Sequence, residues 1–174
     1  MSQPDNQLHP FIEYLYALSQ REDRQALAQL RRGLGTKPGA APEMFPYVVP
    51  WLPSPLYPQD EMAYYAIASL FALHPAITAY GNMGDHMAAT VEKGREEAVE
   101  RRFVALLSAH PDDLPDFLRQ AISYLASKET PVNWDRLFRD MRYWGHPDHG
   151  DRIRKQWAIA FWRYRKPEQN ASVS

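Results

Sequence analysis

The amino-acid sequence predicts an all-α protein, a bundle of about eight helices in two sub-bundles, on three observations. Apolar residues recur at helical spacing in most proline-free segments, and no convincing stretch alternates with the period of two that a strand requires. A chain of 174 residues with 45% hydrophobic and 13% aromatic residues has apolar surface enough for a sizeable interior. It has no cysteine, so that interior forms without disulfides, and thiolate catalysis and cysteine-held zinc are excluded with them.

In chain order, "FIEYLYALS" (11–19) and "DRQALAQLRRG" (23–33) read as the first two helices, with Gly33 where the second is capped. Residues 34–60 hold seven prolines and carry only short helical turns, packed by Phe45, Tyr47, Val48 and Trp51. "MAYYAIASLFAL" (62–73) is uncharged and apolar all round, too short to span a bilayer, and predicts a buried helix over about 60–73. Residues 79–97 have the poorest periodicity and read as a mobile connection between the halves.

Beyond it, Val99, Phe103, Leu106 and Leu107 mark one helix face, and Leu114, Phe117, Leu118, Ala121, Ile122 and Leu125 the next. Asn133 caps a helix whose inner face is Trp134, Leu137, Phe138 and Met141. A last helix runs over about 151–164 with Ile153, Trp157, Ala160, Phe161 and Tyr164 inward. The expected division is residues 1–94, residues 95–168 and a tail of 169–174. The N-terminal residues lack the basic-then-apolar layout of a secretory signal, and the expected location is the cytoplasm.

"HPDHGD" (146–151) gathers two histidines and two aspartates and invites a metal site. A helical zinc pair needs an i, i+4 spacing on one face, whereas His146 and His149 are three apart, with a proline between them and a glycine just beyond. A turn accounts for the same residues: Pro147 and Asp148 open it, Gly150 permits positive φ, and Asp151 caps the next helix. Phosphate-cradling glycine loops, nucleophile elbows and cysteine nucleophiles are missing too, so the expectation is no catalytic residue, no metal and no cofactor.

Charge is the informative feature. The formal net charge is −1, yet residues 134–166 carry 9 basic against 4 acidic side chains, and arginine outnumbers lysine 15 to 5. The guanidinium fork pairs bidentately with phosphate where lysine acts as a point charge. Arginines fall on faces that avoid the apolar stripes: Arg31 and Arg32 on the second helix, and Arg101 and Arg102 in "VERRF". Arg119 follows in "FLR", then Arg136, Arg139 and Arg142 around the Trp134 helix, and Arg152, Arg154, Lys155 and Arg163 on the last. Taken singly such residues are solvated helix faces, with Glu97–Arg101 and Arg136–Asp140 as i, i+4 pairs. Spread over five helices, they describe an extended phosphate-tracking surface.

The ordered set "QALAQLRRG", "VERRFVALL", "FLRQAISYL" and "VNWDRLFRDMRYWG…QWAIAFW" resembles the CasB-type small subunit of the type I-E CRISPR surveillance complex, Cascade, over roughly residues 11–164. The resemblance implies an all-helical subunit without nuclease or nucleotidase activity, normally present in two copies beside other Cascade subunits. It implies support of the guide RNA and target DNA strand, and retention of the displaced single strand so that the R-loop stays open. Motif by motif it nominates Arg31, Arg32, Arg101, Arg102, Arg119 and Arg139 as nucleic-acid contacts. Arg142, Arg152, Arg154 and Lys155 join them on face geometry alone. Two alternatives stand beside it: a helical module that binds proteins and no nucleic acid, and a metal-dependent hydrolase on His146, Asp148, His149 and Asp151.

Overall fold

The computed structural model describes residues 7–163, and the expected inward Tyr164 and the 169–174 tail lie outside them. Among the described residues there are nine α-helices: α1 Pro10–Gln20, α2 Arg24–Arg31, α3 Phe45–Val48, α4 Pro58–Leu73, α5 Met83–Ala88, α6 Glu96–Leu107, α7 Leu114–Ser127, α8 Trp134–Tyr143 and α9 Pro147–Trp162. Short 3₁₀ turns occupy Pro42–Met44, Val49–Trp51 and Pro111–Asp113. No strand forms there; one isolated parallel bridge joins Ile77 to Val132. The all-α prediction holds, and no described helix is long and apolar enough to cross a membrane.

The buried helix is α4. Its residues Ala63 to Ala72 are buried on every side, because α2, α7 and α8 all pack against it. The remaining core comes from single stripes: Phe11, Ile12, Leu15 and Leu18 on α1, Val99, Phe103 and Leu106 on α6, and Leu137, Phe138 and Met141 on α8. Three tryptophans are sealed inside, each with its indole N–H satisfied, as burial of a polar group demands. Trp134 donates to the Ala76 carbonyl at 3.0 Å, Trp144 to the Ala109 carbonyl at 3.0 Å, and Trp157 to Asp140 at 2.7 Å. In the proline-rich stretch Val48 is buried, but Phe45 is exposed, against the expectation that it packs that segment.

The 79–97 segment is more than a connection. It contains α5, opened by a capping box in which Asn82 accepts from the Gly84 and Asp85 N–H groups while Asp85 accepts from the Asn82 N–H. Met83 and Met87 are buried against the core, and α5 lies so close to α9 that a β-carbon at Gly84 would collide with the Trp157 carbonyl. At six residues, α5 is too short for its periodicity to show.

The 144–151 corner is also corrected in detail. The cap of α9 is His146, not Asp151: its Nδ1 accepts from the N–H groups of Asp148 and His149 at 3.3 and 3.2 Å, with Pro147 at the first helical position. Gly150 lies inside the helix, buried against the Trp144 carbonyl, and serves close approach instead of positive φ.

Candidate nucleic-acid interface

The cations nominated from the sequence have three different environments. Arg31 and Arg32 end α2, where Asp23 caps the start of the helix and positive charge complements the dipole at its finish. Both are exposed; Arg31 also donates to the Ala72 carbonyl at 3.1 Å, tying the end of α2 to the end of α4. Arg119 reaches over from α7 to the loop that follows α2, its guanidinium against Gly35, which takes a left-handed conformation at φ 76°. Arg119 therefore meets the loop that Arg31 and Arg32 lead into.

Arg101 and Arg102 are adjacent in sequence but face different ways. Arg101 lies on the outer flank of α6 beside Glu97, Glu100 and Val104, and the expected Glu97–Arg101 pair does not close. Arg102 turns toward α7 and lies over the Tyr124 ring, 5.0 Å from its centroid. With Arg95 and Lys128 it lines a groove of about 160 Å³ whose other walls are Thr90, Glu92, Ala98 and Val99. Lys128 meets Glu92 at 3.4 Å. Arg95, Tyr124 and Lys128 were not singled out from the sequence. The available signal was that Tyr124 lies four residues before Lys128, the C-cap of α7, outside the helix's buried stripe.

On α8 and α9 the nominations divide. Arg152 and Lys155 are exposed. Arg139 is exposed and pairs with Asp135 at 3.1 Å, a surface contact worth at most about 1 kcal/mol that a phosphate can displace. Arg142 and Arg154 do not lie on free outer faces. Arg142 donates to Asp60 at 2.8 Å and lies against the rings of Tyr64 and Phe138. Arg154 donates to the carbonyls of Leu107 and Trp144 and stacks 4.3 Å from the Trp144 ring. Both guanidiniums are engaged in packing between elements, with about a quarter of each side chain left exposed, against the free outer faces expected of them. Arg136 pairs with Asp140 at 3.1 Å as expected, and also donates to Gln156 at 2.7 Å.

Of the nominated cations, Arg31, Arg32, Arg101, Arg102, Arg119, Arg152 and Lys155 are exposed and form no ion pair among the described residues. Exposed cations of this kind are chemically able to bind anions without reading sequence, since contacts to phosphates carry no base information. His146 and His149, the tempting ligands, touch edge to face with centroids 4.5 Å apart, and one His146 nitrogen is committed to capping α9.

Comparison with known proteins gives a consistent picture. Residues 26–162 match the family model described as CRISPR-associated protein Cse2. A Cse2 protein of Thermus thermophilus is 34% identical over 161 residues, covering 87% of this chain and 88% of its own. The crystal structure of CasB from Thermus thermophilus superposes with a TM-score of 0.76 at 28% identity, over 88% of this chain and 96% of that one. A chain of a CRISPR RNA-guided surveillance complex gives 0.71 at 25% identity, over 88% and 94%.

Proposed function

The chain belongs to the CRISPR-associated Cse2 family, and we propose that, as a subunit of a Cascade-type surveillance complex, it acts as a non-catalytic holder of nucleic-acid backbone. In this role it supports guide RNA and target DNA, retains the displaced single strand, and sits beside other Cascade subunits and a second copy of itself in the cytoplasm. R-loop formation exchanges one duplex for another of nearly equal stability, so modest contacts to phosphate are enough to tip it.

The observation that carries this reading is the set of exposed arginines at α2, α6, α7 and α9 left without carboxylate partners among the described residues, while Arg142 and Arg154 are half-buried and engaged by neighbouring elements. The net charge of −1 fits a subunit whose contacts work within an assembly and are weak outside it. About six phosphate contacts to a single strand give a log–log salt slope of roughly −4. Fluorescence anisotropy with the full chain and oligothymidylate from 50 mM salt upward measures it. The double variant Arg101→Ala/Arg102→Ala weakens binding on all sequences alike and makes the slope shallower by about 0.7 for each phosphate contact it removes. A double variant that binds like the native chain rules the reading out.

The exposed side chains Phe45, Val49, Leu56 and Tyr57 along the proline-rich stretch favour a second reading, a protein–protein module. In that case partners co-purify after nuclease treatment and oligothymidylate is not bound.

A further inference from the structure

We propose that the groove between α6 and α7 takes one nucleotide of a bound single strand, its base against the stack of Arg102 on Tyr124 and its phosphate between Arg95 and Lys128. This rests on the backbone-binding reading and goes beyond it, since a phosphate alone needs no planar surface. The Arg102 guanidinium carbon lies over the phenol ring, 5.0 Å from its centroid, and Arg102 is an exposed residue. A guanidinium is planar and weakly hydrated, and nucleobases stack on such planes as they do on aromatic rings. The side chain is held by the ring before any ligand arrives, so little rotamer freedom remains to be lost.

The groove has the shape for more than an ion. Its space of about 160 Å³ is the share of roughly five water molecules, and Ala98 and Val99 supply an apolar wall beside the stack. Three cations border it against the single carboxylate Glu92, whose contact with Lys128 is an exposed one at 3.4 Å that an incoming phosphate can replace.

The test uses the full chain at 50 mM salt with two labelled strands of equal length, oligothymidylate and its all-abasic counterpart, which has the same phosphates and no bases. The native chain binds the thymidine strand at least about fivefold more tightly. Arg102→Lys keeps the charge and loses the plane, and Tyr124→Leu removes the ring. Each abolishes that ratio and leaves the salt slope near its native value, whereas Tyr124→Phe retains the ratio. Arg95→Ala and Lys128→Ala keep the ratio and make the slope about 0.7 shallower each. Circular dichroism confirms that the variants are folded. Equal affinity of the native chain for both strands, or an undiminished ratio in Arg102→Lys, overturns the proposal. Failure of the underlying reading looks different: neither strand binds in a salt-dependent way.

Discussion

Arg142 meets a carboxylate 82 residues away, and that partner explains why face geometry on α8 misplaced it. A helical wheel shows which side chains leave the local apolar stripe but not which neighbouring element meets them. Asp60 is buried in the first turn of α4, and α8 packs along that helix. Asp60→Ala leaves a half-buried guanidinium without its acceptor and lowers stability by about 1.5–3 kcal/mol, the range for a bond to a charged group. Urea denaturation reads the loss, and strand affinity stays unchanged. A variant of native stability with altered affinity would return Arg142 to the contact set. The exposure of Arg32 and Arg101 was legible for the converse reason: no carboxylate of another described element pairs with them.

At the level of elements, long amphipathic helices were readable and the short, tertiary-held one was not. The stripes of α6, α7 and α8 recur over enough turns to be unambiguous, and Asn133 caps α8 as its sequence suggests, accepting from the Arg136 N–H at 3.1 Å. The six residues of α5 owe their place to α9 and to His86, whose Nε2 accepts from the Asn133 N–H at 2.9 Å. Burial pushes the His86 pKa down from 6.5 to about 4, so the folded protein holds this imidazole neutral while the unfolded chain protonates it below 6.5. The contribution of His86 to stability is therefore complete above that value and falls away as pH drops toward 4. By then the loss is about 3 kcal/mol. His9, lowered by burial and by the Arg142 charge, adds in the same direction. Urea midpoints measured between pH 4 and 7 trace this limb. His86→Gln retains an acceptor and flattens it, and an equally steep limb in that variant would refute the assignment.

For the whole molecule, the division near residue 95 expected from the sequence meets an interior that runs across it. One hydrophobic cluster extends from Phe11 to Phe161, with α4 packed on α7 and α8, and α5 on α9. Chain order revealed the weak periodicity of 79–97 but not that α5 and α9 are pressed together there. We expect a single cooperative unfolding transition, with calorimetric and van't Hoff enthalpies in agreement. Two separable steps would restore independent halves. Overall charge was a poor guide at this scale, because acidic residues of the first half mask the basic ones of the last helices.

The three sealed indoles have a practical consequence. Shielded from water, they emit toward the blue in the native protein and shift red when the chain opens, whereas the groove of α6 and α7 is lined by a tyrosine and no tryptophan. The intact molecule thus carries its own optical gauge of folding, largely blind to a ligand in that groove, and integrity and occupancy can be followed separately in the same cuvette.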